Sequence, residues 1–200
     1  MSAGARPQAR QRSTAEGAPE GAARTEPATI ALIGAECTGK TTLAQALAAE
    51  LPALWLPEAL REFCDREGRT PRPDEQAALM REQMLREARA RAQAERAGVQ
   101  WVICDSTPLV TALYSVMLFG DHSLLAAGLV HQRRHSLTLL ADTDLPWAPD
   151  GIQRDGPTVR ARFQQLLRTT LREHGLAYVT VRGNETARLA AALEAVRVGL

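Results

Sequence analysis

Lysine is almost missing from this chain: Lys and Arg together number 24 in 200 residues, yet Lys40 is the sole Lys. A sequence that uses Arg everywhere else keeps Lys where a compact ammonium does what a planar guanidinium cannot, so position 40 stands out before any motif is read. Aromatic residues are scarce, at 4%. Cysteine is limited to Cys37, Cys64 and Cys104, odd in number and far apart, which excludes a disulfide framework or a Cys-rich zinc module; reduced thiols are expected. An excess of one charge is also lacking. The 24 basic and 23 acidic groups leave a net charge of +1, so the overall field favours neither nucleic acid nor an anionic membrane. No run approaches the roughly eighteen apolar residues of a membrane span, and the N-terminus has no apolar signal segment. The expected location is the cytoplasm and the expected partner a small molecule. His122, His131, His135 and His174 show no ligand or triad pattern, and surface or boundary positions are expected for them.

Residues 1–27 are mostly Ala, Gly, Pro, Arg and Glu without apolar periodicity. Such a segment buries too little surface to offset the entropy of ordering it, so a disordered tail is expected, followed by one domain over 28–200. From Thr29, TIALIG reads as a strand buried on both faces, and TTLAQALAAEL follows with helical spacing. Further strands are expected at Ala53 to Glu58, Trp101 to Asp105, Ser136 to Asp142 and Ala177 to Val181. Helices are expected from an Asp74 N-cap to Arg96, from Pro108 to Phe119, from Pro157 to Gly175, and after an Asn184 cap. Strands alternating with helices and without hairpin signals imply right-handed crossovers. The predicted fold is α/β, a three-layer P-loop NTPase with a five-stranded parallel sheet, of nucleoside- or nucleotide-kinase type with a lid.

Between the first strand and helix stands a complete G-x-x-x-x-G-K-[ST] loop. Its glycines let consecutive N–H groups turn inward and the following helix adds its positive end, making a cradle for the phosphates of ATP. Gly34, Ala35, Glu36, Cys37, Thr38, Gly39, Lys40, Thr41 and Thr42 are the candidate nucleotide-binding residues. Lys40 would reach the β- and γ-phosphates and Thr41 would hold Mg²⁺.

Three further clusters bear on the phosphoryl acceptor. Glu58 and Arg61 follow the second strand, at the edge where open α/β sheets bind ligands; Glu58 would take a hydroxyl proton, or else simply start a helix. Asp105 ends the third strand and suits Mg²⁺ or the acceptor hydroxyl, with an N-cap role as the alternative. The segment Asp144 to Arg154, with Arg160 and Arg162 beyond it, suits a lid that brings a guanidinium to the migrating group.

GAECTGKT, PEALREF, CDSTPLVTALY and TDLPWAPDGIQR, in this order, resemble the signatures of the nicotinamide riboside kinase domain of the NAD-biosynthesis regulator NadR and its stand-alone AAA-type relatives. The likeness covers about Ala28 to Leu200. It implies that Glu36 belongs to the phosphate loop, Glu58 and Arg61 to the riboside pocket, and Asp105 to the acceptor and Mg²⁺ region. Thr111 and Tyr114 would lie on the helix beneath, and Asp150 and Arg154 on the lid. Ala59 stands where the family has an aromatic residue, leaving Trp55, Phe63 or Trp147 to stack on a nicotinamide ring; Ser106 replaces the commoner Thr. No adenylyltransferase signature or helix-turn-helix is present, so only the kinase part is expected. The resemblance implies ATP-dependent phosphorylation of a nucleoside-like 5′-hydroxyl, with Glu58 or Asp105 as base. Another small hydroxyl acceptor and a slowly hydrolysing ATP-binding regulatory module are the competing readings.

Overall fold

The computed structural model describes residues 26–148 and 156–199. Short apolar runs form five strands: β1 (Ala28–Ile33), β2 (Ala53–Leu56), β3 (Trp101–Asp105), β4 (Leu137–Ala141) and β5 (Val179–Val181). They pair in the order β2-β3-β1-β4-β5, all parallel. Connections from β1 run first to one side of the sheet and then to the other, which opens a crevice at its carboxyl end, the place where such sheets bind ligands.

Helices cover both faces, and the strands consequently have no polar side. On one face, Ile30, Leu32, Ile103 and Leu139 meet Leu43 and Leu47 of α1 (Lys40–Glu50) and Ala192 and Val196 of α7 (Glu185–Val198). On the other, Ala31, Ile33 and Leu140 meet Leu109 and Leu113 of α4 (Pro108–Phe119) and Phe163 and Leu167 of α6 (Gly156–Glu173). Ala94 of α3 (Gln76–Ala97) packs on Val102 and Cys104. This is the expected three-layer α/β fold. Among the described residues no helix is long and apolar enough to cross a membrane.

Three local features differ from the sequence reading. The Glu58 cluster runs directly into a helix, α2 (Ala59–Glu67), and a further helix, α5 (Leu125–Gln132), precedes β4. Helix α5 contains Gly128, a poor helix former, because a Cβ there would lie 3.1 Å from Leu109 Cα and 3.2 Å from Ala112 Cβ; the glycine admits close packing on α4. Asp74 is not the cap of the long helix. Pro73–Glu75 form a 3₁₀ turn, in which Glu75 accepts from the Arg72 N–H at 2.8 Å and from Arg69 at 2.6 and 2.7 Å, and α3 starts at Gln76. At the amino end Pro27 is buried and Glu26 pairs with Arg91 at 3.2 Å, while residues 1–25 of the expected tail lie outside the described residues.

One buried side chain ties the far helix to the carboxyl edge of the sheet. Asn184 caps α7 by accepting from Ala187 N–H at 2.9 Å, and one turn later Arg188 points inward. Its guanidinium donates to Gly183 O at 2.8 Å, Thr38 O at 2.9 Å and Asp142 O at 3.1 Å, and pairs with Asp144. Breaking a buried pair of this kind costs about 2–4 kcal/mol once the partial exposure of Asp144 is allowed for. Arg188→Met is therefore expected to lower Tm by roughly 5–15 °C in thermal denaturation, and Arg188→Lys to restore little of it, because one ammonium cannot reach carbonyls on three segments. A Tm within about 2 °C of wild type, below the effect of 1 kcal/mol, would contradict this anchoring role.

Candidate active site

The loop between β1 and α1 is fixed from its outer side. At Gly34 φ is +151°, and a Cβ would lie 2.8 Å from Ala141 O, so glycine alone lets the chain leave β1 against β4. Gln164 of α6 accepts from Ala35 N–H at 3.0 Å and donates to Ala141 O at 2.9 Å. The carbonyl of Cys37 accepts from Arg160 at 3.1 Å and that of Thr38 from Arg188 at 2.9 Å. A trans peptide sets its N–H opposite its C=O, so outward carbonyls at 37 and 38 turn the N–H groups of Thr38 and Gly39 the other way. The loop borders a cavity of about 110 Å³ shared with Glu58, Arg61 and Tyr114. This is an anion cradle made of backbone. Lys40 and Thr38 both donate to Ala35 O at 2.8 Å, which folds the lysine over its own loop.

Glu58 and Asp105 end neighbouring strands and are both buried. Glu58 occupies the N-cap position of α2 but its side chain makes no capping bond, and the residue capping α4 is Thr107, not Asp105. Neither carboxylate is used as a helix cap. Burial pushes the Glu58 carboxyl above the ordinary carboxylate range and Asp105 adds to the rise, while Lys40, Arg61 and Ser106 oppose it. Burial also raises Asp105, against the Thr41 hydroxyl, Lys40 and Arg61. The Thr41 hydroxyl is close enough to act on the charge of Asp105, but neither buried carboxylate oxygen completes a hydrogen bond of normal geometry. The chain's one lysine thus stands among two desolvated acids and the phosphate cradle.

Beyond Glu58 the cavity continues between Glu36, Leu60, Gln76, Thr111 and Tyr114. Tyr114 is fixed by stacking on Phe163, with ring centroids 3.9 Å apart and planes 12° from parallel. Trp147 donates its indole N–H to Glu36 at 3.1 Å, so an aromatic from the β4–α6 connection reaches the loop. The other two aromatic substitutes are corrected: Trp55 packs into the apolar layer below α1, and Phe63 carries Arg66 and Arg69 over its ring at 5.4 and 5.5 Å. Asp150 and Arg154 lie outside the described residues. Arg160 is 5% exposed and donates to Leu145 O and Cys37 O; it braces the loop from behind.

Arg188 and Gln164 were not singled out from sequence. Gln164 lies one turn from Arg160 on a helix whose apolar face is Phe163, Leu167 and Leu171, and this polar break in an apolar stripe was the available signal. Arg188 left none, since an Arg in the first turns of a helix reads as solvated.

A family model described as an AAA domain matches residues 29–188. No curated protein sequence matches the chain. Among solved structures, NadR protein in complex with NR superposes with a TM-score of 0.65 at 20% identity, covering 87% of this chain and 52% of that one. NadR in complex with NAD and AMP-PNP gives 0.67 at 21% identity, covering 86% and 49%; the chain thus spans about half the length of the NadR structures. Thymidylate kinase from Ehrlichia chaffeensis gives 0.59 at 14% identity, covering 87% and 99%. The backbone cradle, the parallel sheet that carries it and the match over residues 29–188 lead to one conclusion: the chain belongs to the AAA-domain family of P-loop proteins.

Proposed function

We propose that the protein is a kinase that transfers the γ-phosphoryl group of ATP to the 5′-hydroxyl of a nucleoside-like acceptor, nicotinamide riboside being the acceptor the site fits best. The observation that carries this reading is the placement of Glu58, a buried carboxyl free of any capping role, on the wall of the phosphate cavity beside Lys40. An ATP-binding module that acts only through a partner has no need of it. ATP fits the shape: the phosphates take the loop, and a neighbouring apolar cavity of about 370 Å³ bordered by Thr42, Leu43, Leu145 and Leu189 suits the adenine. Thr41 and Asp105 fit Mg²⁺, since the buried Asp105 oxygens lack a fixed partner; the ion would neutralise charge on the β- and γ-phosphate oxygens.

In this reading the acceptor oxygen attacks the γ-phosphorus, the bond to the β–γ bridging oxygen breaks, ADP leaves, and the hydroxyl proton passes to Glu58. Lys40 and the inward N–H groups stabilise charge on the migrating group. Nicotinamide riboside carries a cationic ring. The cavity past Glu58 offers Tyr114 beside the Glu36 carboxylate, and Trp147 is bonded to that same carboxylate, a combination that attracts a flat cation. The likeness to NadR bound to NR agrees with this choice.

A reaction of labelled ATP with nicotinamide riboside, deoxyadenosine and thymidine tests the assignment directly; nicotinamide mononucleotide is the expected main product, and exclusive labelling of another nucleoside would overturn the acceptor. Lys40→Ala should lower kcat at least about a hundredfold. Glu58 accepts a proton only when ionised, so kcat/KM should fall as pH drops through its raised pKa, with the acid limb above the ordinary 4.5. Glu58→Gln should remove about 10²–10⁴ of rate with ATP affinity retained by equilibrium titration; an unchanged pH–rate profile in this variant would rule Glu58 out as the base. Glu36→Gln should raise KM for the cationic riboside more than for a neutral nucleoside, and equal effects on both would remove Glu36 from ring recognition.

A further inference from the structure

At the amino end of β1, across the sheet from the phosphate loop, three side chains converge without any role in the reading above. Glu87 comes from the middle of α3, His131 from the last turn of α5, and His135 from the segment leading into β4. As whole residues the histidines hold the expected surface or boundary positions, but the His131 and His135 side chains turn inward and are 11% and 2% exposed. The H-x-x-x-H spacing that sets both on one side of the chain was legible but lacked its third member, Glu87.

We propose that Glu87, His131 and His135 form a binding site for a zinc-class divalent ion. One donor atom from each lies within 4.8 Å of the others. The Glu87 carboxylate oxygen is 3.4 Å from His131 Nε2 and 3.7 Å from His135 Nε2. Bonds of about 2.0–2.1 Å in a tetrahedron give ligand-to-ligand edges of about 3.3–3.4 Å, so both Glu–His edges already lie within a few tenths of an ångström of coordination, on the order of the tolerance of such bonds. Two imidazoles and one carboxylate suit zinc and its neighbours, and are poor ligands for Mg²⁺ or Ca²⁺.

A second observation points to a missing partner. His135 Nε2, the ring nitrogen that faces Glu87 Oε2, is buried without a hydrogen-bond partner, and so are the second oxygen of that carboxylate, Oε1, and the far ring nitrogen of His131, Nδ1. Orphaned buried polar groups are rare because each forfeits its hydration. The ring of His135 is already set for coordination. Its Nδ1 lies 3.2 Å from Thr29 Oγ1, which orients the ring with Nε2 toward Glu87 at 3.7 Å, the support that metal-binding histidines commonly have. Arg91, paired with Glu26, and Arg134 are the cations that face the cluster. A pocket of about 400 Å³ bordered by Glu26, Arg91 and Glu95 opens onto the cluster and gives the ion an entry path and a fourth position for water.

The test uses the full chain, stripped of metal with a chelator and kept in excess Mg²⁺ and ADP so that the phosphate site is occupied. Co²⁺ is the spectroscopic probe and Zn²⁺ the competitor. The expected result is a 1:1 visible ligand-field band without thiolate charge transfer, its displacement by one equivalent of Zn²⁺, and a rise in Tm of roughly 5–10 °C when Zn²⁺ exceeds its Kd a hundredfold. Glu87→Gln nearly preserves shape, so it should keep the metal-free Tm and lose both the band and the shift. His131→Gln, at the more open edge of the cluster, repeats the test should the buried variant fold poorly. Absence of the band in the wild type, its full retention in either folded variant, or a thiolate charge-transfer band placing the ion on a cysteine would overturn the site.

Discussion

The structure depends on how a short loop is made to face its carbonyls away from the ligand. Arg160 and Arg188, from helices on opposite faces of the sheet, take the carbonyls of Cys37 and Thr38, and Gln164 takes the Ala35 N–H. Each of these bonds lies behind the loop, where a nucleotide does not compete for it. Amide dipoles are thereby ordered before any phosphate arrives, and a preordered dipole costs no reorganisation during reaction. The two faces of the molecule are also coupled at this point, and again just past β4, where Arg168 of α6 takes the Asp142 carboxylate and Arg188 of α7 its carbonyl.

The same edge concentrates acids that water does not reach. Glu58 and Asp105 are each raised by burial, and Lys40 and Arg61 lower both. Such opposing shifts are what separates a poised base from a permanently charged carboxylate. The near absence of lysine elsewhere fits this arrangement: a guanidinium in place of Lys40 would bring a bulky planar fork into a cavity of about 110 Å³.

Much of this was legible from sequence because it is local. The five strands read as continuous apolar runs since each is buried on both faces, and the phosphate loop read from spacing because six residues must reverse the chain in a fixed way. Glu58 and Asp105 were legible as acids at strand ends. What was not legible depends on partners distant in the chain. Arg188 meets Thr38 across 150 residues, Glu87 of α3 meets His131 of α5 at 3.4 Å, and Gly128 owes its place to Leu109. Arg160 was read for its charge and not for its direction, which α6 decides. Short α5 carries an internal glycine and exists because α4 receives it.

The hydrogen bond from Lys40 to Ala35 O bears on how the site empties. The ammonium is satisfied by its own loop, and a phosphate taken up in the cradle draws it from that carbonyl. A hydrogen bond to a charged group is worth about 1.5–3 kcal/mol, which corresponds to roughly ten- to a hundredfold in affinity. In the proposed reaction that amount is withheld from the bound nucleotide and returned when the nucleotide departs, so the interaction that keeps the lysine in register also loosens the loop's grip on the product.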